Sequence, residues 1–182
     1  MDKYYINKED AVLVIIDIQE RLVPVMNKKE GIIKNTNILV SMANTMDIPI
    51  VVTQQYTKGL GETVAEINGN LRDVKRIEKI DFTACINETM DYLKEIDRKS
   101  IIVAGIEAHV CVLQTVRDLL AQGYNVFLVS DGVGSRTEEN YKNALEMMRD
   151  MGAVISNTES ILFDLLKKAG TPEFKELSRL IK

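Results

Sequence analysis

The segment Ala11–Asp17 reads Ala-Val-Leu-Val-Ile-Ile-Asp and decides the fold class of this chain. Residues 11–16 are all apolar, so a strand formed by them has no side suited to face solvent. Similar runs follow at Ile50–Thr53, Ser100–Ala104 and Asn125–Ser130, with a short one at Ala153–Ser156. Strands that are apolar on both faces are typical of a parallel sheet covered by helices on both sides.

Helical patterns separate these strands. They lie at Gly31–Met46, Asn87–Ile96, Val110–Ala121 and Thr137–Met151. Two shorter helices are predicted at the end of the chain, one running to Lys168 and one starting at Pro172. Alternating strands and helices predict right-handed βαβ units and therefore an α/β fold with an open parallel sheet. No linker interrupts the pattern, so residues 1–182 are predicted to form one domain.

The segment Gln54–Val74 is the exception, because it has no clear periodicity over its whole length. Loops of this length in compact domains are more often functional than idle.

Composition narrows the class of protein. The 182 residues are 46% hydrophobic and 27% charged, which is the balance of a soluble globular protein. The net charge of −4 is scattered and no basic tract occurs, so a nucleic-acid partner is not expected. The longest apolar run is too short to span a membrane, and the polar start shows no signal-peptide pattern. Two cysteines without a secretory signal predict a cytoplasmic, reducing setting in which a thiol is free to react.

The carboxyl ends of parallel strands are where α/β proteins bind ligands. Asp17 ends the first strand, and Cys111 begins a predicted helix shortly after the strand Ser100–Ala104. Free N–H groups and the dipole at a helix N-terminus stabilise a thiolate and can hold an oxyanion. Both residues also have a plainer interpretation, Cys111 as a small core residue and Asp17 as a turn cap. Lys79, a third candidate, would by itself be interpreted as a solvated charge.

The single histidine, His109, limits the possible mechanisms. It lies two residues from Cys111, and side chains at that offset do not face each other on a helix. A cysteine nucleophile would therefore need a carboxylate and a cation instead of an imidazole base. One histidine also argues against a zinc or iron site of the usual multi-histidine kind.

Several motifs together resemble the isochorismatase-like cysteine hydrolase family. They are Asp17–Gln19 after the first strand, Lys79 followed by Phe82, Gly105–Cys111, and Ser130–Arg136. The resemblance covers nearly the whole chain, with the motifs in the same order. The sequences of Gln55–Gly61 and of 107–111 are similar to those of a subgroup called isochorismatase domain-containing proteins.

The resemblance implies a six-stranded parallel sheet with helices on both faces and a triad at its edge. In that triad Cys111 is the nucleophile, Asp17 the base and Lys79 the group that stabilises the thiolate. A cis peptide bond is implied between Ile106 and Glu107, and the backbone N–H groups of Glu107 and Cys111 would form the oxyanion hole. The family also implies a homo-oligomer, dimer or larger, that acts on a small molecule without a cofactor or metal.

Further roles are predicted around this centre. Four residues are expected to line the substrate pocket: Gln19, Gln55, Tyr56 and Phe82. Asp131 and Arg136 are predicted to form a structural pair that braces the loop between strand and helix. Cys85 is expected in or near the core, and the Glu107 side chain is expected either in the pocket or in solvent.

Differences from known family members indicate the chemistry. Family nicotinamidases carry an Asp-x-His metal motif where this chain has Thr53–Tyr56, which argues against a metal-dependent nicotinamidase. Isochorismatases proper cleave a vinyl ether and usually lack the cysteine. Cys111 therefore favours hydrolysis of a small amide, urea or carbamoyl group through a thioester.

Three other functions stay open on the sequence. The chain resembles a hydrolase but could be a catalytically weak interaction protein, or a vinyl-ether hydrolase of the isochorismatase type. A flavodoxin-like nucleotide binder is disfavoured, because no glycine-rich phosphate loop follows the first strand.

Overall fold

The computed structural model describes residues 2–182, so Met1, part of the predicted domain, lies outside the described residues. Six parallel strands form one sheet in the order β3-β2-β1-β4-β5-β6. The strands are β1 (Ala11–Ile16), β2 (Ile50–Gln55), β3 (Lys75–Lys79), β4 (Ser100–Ile106), β5 (Asn125–Gly134) and β6 (Val154–Ser156). The α/β class and the six-stranded parallel sheet are confirmed.

Helices connect the strands and cover both faces of the sheet. They are α1 (Lys29–Thr45), α2 (Thr57–Leu60), α3 (Ala65–Asn68), α4 (Asn87–Glu95), α5 (Leu113–Ala121), α6 (Glu138–Asp150), α7 (Thr158–Leu166) and α8 (Pro172–Leu177). A π-helical turn, Ala108–Val112, precedes α5 directly. Among residues 2–182, none of these helices combines the length and apolar character that a membrane crossing requires.

The first strand shows why its sequence is apolar throughout. All six of its residues are buried. Leu13 and Ile15 pack into the cluster beneath α1, α7 and α8, whereas Val12 and Val14 pack into the cluster beneath α4, α5 and α6. Central parallel strands must bury both faces in this way.

The apolar runs in the sequence do not predict strand β3, which contains Lys79, and Lys79 by itself has the plainer interpretation of a solvated charge. This strand lies at the edge of the sheet, and its side chains alternate between buried and more exposed positions. An edge strand with one wet face does not produce the continuous apolar run seen in β1. The segment Gln54–Val74 is likewise more ordered than predicted, since it contains the end of β2 and the short helices α2 and α3.

Strand β5 is also longer than its apolar run, which ends at Ser130. The register with β4 shifts between Val103 and Gly105, and beyond the shift Ile106 pairs with Gly134. Gly105 is required here because a Cβ at its φ of 142° would overlap the carbonyl oxygen of Ile16 on β1. The close approach of β1 and β4 brings together the two loops in which Asp17 and Cys111 lie.

Candidate active site

Three of the predicted residues meet at the carboxyl edge of the sheet. The order of strands reverses between β1 and β4, and this switch point is where open α/β sheets bind ligands. Asp17 follows β1 in a left-handed turn with φ of 51°. Lys79 is the last residue of β3, and Cys111 lies in the π-helical turn after β4.

Asp17 and Lys79 form a fully buried ion pair. The Lys79 ammonium lies 2.6 Å from Oδ2 of Asp17, and both side chains are 0% exposed. Lys79 also donates to the backbone carbonyls of Asp81 and Phe82, at 3.0 and 3.1 Å. A buried charge is tolerated only when it is paired and hydrogen-bonded, and here all three ammonium hydrogens have an acceptor. The interpretation of Lys79 as a solvated charge is therefore wrong.

Thr53 completes the carboxylate's surroundings. Thr53 lies in β2, and its hydroxyl donates to Oδ1 of Asp17 at a distance of 2.7 Å. Both Asp17 oxygens therefore have a fixed donor, which sets the orientation of the carboxylate. The sequence gives no signal of this contact, because the pairing of β1 with β2 creates it.

Cys111 is a buried thiol beside this pair. Its Sγ lies 3.4 Å from Oε1 of Gln55, to which the thiol donates. Burial and the negative charge of Asp17 raise the pKa of Cys111 to about 12, and the Lys79 charge only partly opposes them. The resting cysteine at neutral pH is therefore protonated, and its proton must leave during a reaction.

The Glu107 side chain does not point to solvent, which was one of its two predicted environments. The peptide bond before it, from Ile106, is cis as predicted. Its carboxylate is buried and bound by Arg136, whose Nη2 lies 2.7 Å from Oε1. The predicted pair of Asp131 with Arg136 is therefore wrong: Asp131 instead accepts from the backbone N–H and hydroxyl of Thr158 at the start of α7, each at 2.8 Å.

A match to the isochorismatase domain model covers residues 11–160, which is most of the chain. This chain belongs to the isochorismatase family. The predicted family is confirmed.

Relatives of this isochorismatase-family protein span its whole fold. The secreted isochorismatase effector Isc1 of Phytophthora sojae is 45% identical over 177 residues, which cover 94% of this chain and 84% of the effector. The solved MAR1 ribonuclease from Caenorhabditis elegans is 37% identical with a TM-score of 0.93, covering 97% and 92% of the two chains. The Escherichia coli YcaC gene product, an octameric hydrolase of unknown specificity, shares the fold at 24% identity and a TM-score of 0.85 over 90% and 83%.

The four predicted pocket residues of this isochorismatase-family protein have different environments. The Gln19 carboxamide is fully buried and paired with the backbone of Gln55, whose N–H it accepts at 2.8 Å and to whose carbonyl it donates at 3.0 Å. Gln19 therefore holds the end of β2 in place. Gln55 contacts the Cys111 thiol, while Tyr56 and Phe82 are 52% and 54% exposed.

The second cysteine, Cys85, lies in a different environment from Cys111. It is half-buried, as expected near the core, and burial raises its pKa to about 11. Its neighbour Thr115 links two parts of the site, because its hydroxyl donates to the Cys111 carbonyl and accepts from the N–H of Ala84, at 2.7 and 2.8 Å. Residues 2–182 contain no group of three or more acidic, histidine or cysteine side chains arranged to hold a metal ion.

Proposed function

We propose that this isochorismatase-family hydrolase is a cysteine hydrolase that cleaves the C–N bond of a small amide, urea or carbamoyl compound through a Cys111 thioester. The observation that carries the proposal is the buried Asp17–Lys79 ion pair beside a buried thiol at the switch point of the sheet. Burying two charges has a desolvation cost that a pair of apolar residues would avoid, so a buried ion pair at this position suggests a function beyond stability. A carboxylate beside a thiol, held in place by a cation, is a general base for that thiol.

The reaction begins when the Cys111 sulfur attacks the substrate carbonyl carbon and Asp17 takes the thiol proton. The resulting oxyanion accepts hydrogen bonds from the backbone N–H groups of Glu107 and Cys111. Asp17 then gives its proton to the leaving nitrogen, the C–N bond breaks, and an acyl-thioester remains. Water adds to the thioester as Asp17 takes its proton, and the C–S bond breaks as that proton returns to sulfur.

Lys79 supports these steps without exchanging a proton. Its positive charge holds the Asp17 side chain in place through their ion pair and lowers the pKa of Cys111, so that it stabilises the sulfur as negative charge develops. It also fixes the loop after β3 through the carbonyls of Asp81 and Phe82. The mechanism needs no metal or cofactor.

Substrate recognition is assigned to the residues around the thiol. Gln55 would bind a polar group of the substrate, because its carboxamide already lies within hydrogen-bonding distance of Cys111. Tyr56 and Phe82 would cover an apolar part of the substrate from the exposed side. Gln19 would act indirectly, because its two hydrogen bonds to the Gln55 backbone hold Gln55 beside the thiol.

A substrate panel with one active-site variant tests the proposal. Release of ammonia or amine is measured from small amides, ureas and carbamoyl compounds, with the wild type and with Cys111→Ala. Turnover of at least one compound is expected, and Cys111→Ala abolishes it while the thermal melting temperature is unchanged. A variant that keeps near-normal turnover would remove Cys111 from the mechanism. No turnover of any compound would favour an interaction protein.

Two other activities belong in the same panel. The C. elegans relative is a MAR1 ribonuclease at 37% identity, so a labelled RNA is included as a second candidate substrate. A vinyl ether of the isochorismate type is included because the family model is that of isochorismatase. Cleavage of either that is lost in Cys111→Ala would replace the amide class proposed here.

A further inference from the structure

The Glu107 carboxylate is bound entirely by one residue of another loop. Glu107 is 5% exposed, and Arg136 contacts it with its backbone N–H at 3.0 Å and with its guanidinium Nε and Nη2 at 3.1 and 2.7 Å. Arg136 lies in the connection between β5 and α6, and its side chain is 58% exposed. Despite the burial of Glu107, the hydrogen bonds and charge of Arg136 hold the pKa of the carboxyl group below its usual value.

Two further contacts run beside this one and join the same two segments. Ile106 pairs with Gly134 at the end of the β4–β5 ladder. The Nδ1 of His109 lies 3.0 Å from the hydroxyl oxygen of Ser135. The segment that leads into Cys111 is thus attached at three points to the end of β5 and the connection that follows it.

A role in stability alone does not account for the arrangement. An ion pair that is partly exposed contributes little to stability, and a partly exposed arginine needs no carboxylate partner. The unusual feature is the burial of Glu107, which has a cost and which a small apolar residue would avoid. The contact restricts the orientation of the Glu107 side chain, because the planar guanidinium and the backbone N–H of Arg136 both bind its carboxylate. A side chain held in this way also limits the movement of the backbone that carries it.

We propose that Glu107 and Arg136 are positioning residues that hold the two oxyanion-hole N–H groups at the place where the oxyanion develops. The inference rests on the proposed function, since it assumes acyl transfer to Cys111. Hydrogen-bond donors stabilise a developing charge only when they are aimed at it in advance. Loosening the pair therefore slows reactions that pass through an oxyanion, and does not slow reactions of the thiol that form none.

Two chemical probes separate these two effects. p-Nitrophenyl acetate acylates sulfur: the S–C bond forms through a tetrahedral oxyanion, p-nitrophenolate leaves, and the thiol proton passes to Asp17 or buffer. Iodoacetamide alkylates sulfur by direct displacement: the S–C bond forms as iodide leaves, and no oxyanion arises. Acylation is followed by the release of p-nitrophenolate, with Cys111→Ala as the blank, and alkylation is measured at Cys111 by peptide mass spectrometry, with Cys85 as the internal reference.

We expect Glu107→Gln and Arg136→Gln to slow acylation about tenfold or more, which is below the roughly 100-fold or greater cost of losing one oxyanion donor outright. Alkylation should not slow by more than about twofold in either variant, and Glu107→Gln should speed it, because the charge of Glu107 raises the pKa of Cys111. Arg136→Lys should recover part of the acylation rate because it keeps the charge but not the fork of donors. The matched control is Lys28→Gln, which removes the exposed Lys28–Glu138 ion pair at the start of α6 and should change neither rate.

Equal slowing of both probes would reduce the pair to a structural role and overturn the inference. So would an unchanged acylation rate in both variants. If wild type and Cys111→Ala acylate alike, the proposed cysteine chemistry fails, and the inference fails with it. A wild-type acylation that depends on Cys111 but not on Glu107 or Arg136 overturns the inference alone.

Discussion

At the residue scale, the protonation state of Cys111 follows from burial and from two charges that act in opposite directions. Burial raises the pKa of the thiol, the negative charge of Asp17 raises it further, and the positive charge of Lys79 lowers it. The same carboxylate that suppresses the thiolate at rest is the one proposed to receive its proton. In the proposed mechanism the thiol therefore keeps its proton next to the base until a carbonyl arrives.

This arrangement predicts that Asp17→Asn separates thiol reactivity from turnover. Removing the negative charge lowers the pKa of Cys111, and each pKa unit gives about ten times more thiolate below the pKa. Alkylation of Cys111 by iodoacetamide at pH 8 should therefore accelerate, whereas amide turnover should be lost with the base. The pH profile of alkylation, read by peptide mass spectrometry, checks both the direction and the shift. An unchanged or slower alkylation would show that Asp17 does not act on the thiol through its charge.

A second prediction concerns the hydroxyl of Thr53. Thr53→Val keeps the shape but removes the donor to Asp17, and a hydrogen bond to a charged group contributes about 1.5–3 kcal/mol. We expect lower stability in urea unfolding and a kcat reduced about tenfold with little change in KM, since 1.4 kcal/mol corresponds to tenfold in rate.

Thr36 offers the matched control. Its hydroxyl is buried and has no hydrogen-bond partner among residues 2–182, so Thr36→Val should leave both kcat and stability unchanged or raise stability slightly. Equal effects of the two substitutions would mean that Thr53 does not orient Asp17.

At the element scale, Lys79 joins the edge strand β3 to the centre of the sheet. Its ammonium reaches past β2 to the carboxylate that follows β1, and both charges are fully buried. Lys79→Met should destabilise the protein by about 3–5 kcal/mol, because it leaves Asp17 buried without its partner. The double variant with Asp17→Asn should recover much of that loss. Urea unfolding of the two singles and the double gives the coupling, and strictly additive losses would contradict it.

The elements also show how far the sequence predicts this fold. β1, β2 and β4 were recognisable because burial on both faces leaves an uninterrupted apolar run. β3 was missed because an edge strand alternates, and the end of β5 was missed because Ser130–Gly134 has the composition of a turn. Both errors lie where pairing with a neighbouring strand, rather than local composition, determines the structure.

Some residues of the candidate site could also be predicted from local sequence, whereas their charged partners could not. Asp17 and Cys111 could be proposed from their positions after buried strands, without any relative. The partners could not: Lys79 is 62 positions from Asp17, and Arg136 is 29 positions from Glu107. Nothing in the local sequence distinguishes these cations from solvated ones, because only the order of strands brings them to their carboxylates. The resemblance to the family supplied Lys79 but not the Glu107–Arg136 pair.

At the scale of the whole molecule, the surface beside the site predicts an assembly. Ile80 is 71% exposed and Phe82 is 54% exposed in the loop that Lys79 holds. Large apolar side chains exposed together commonly mark an interface, and we expect a homo-oligomer, dimer or larger, in which this loop is covered. The cytoplasmic location likewise stays a prediction, to be tested by fractionation.

Light scattering coupled to size-exclusion chromatography checks the assembly. The wild type should elute as a dimer or larger species, and Ile80→Asp should shift it toward the monomer, because burying an unpaired carboxylate at an interface is unfavourable. Met151→Asp is the matched control, since Met151 is also exposed but lies at the end of α6. A monomeric wild type, or an Ile80→Asp variant with unchanged mass, would contradict the prediction.

The protonated state of Cys111 has a consequence for oxidation. Peroxide attacks thiolates far faster than thiols, so a cysteine with a pKa near 12 is a poor target for conversion to sulfenic acid. The burial of the sulfur and its hydrogen bond to Gln55 act in the same direction, so we expect Cys111 to react slowly with peroxide, unlike a preformed thiolate.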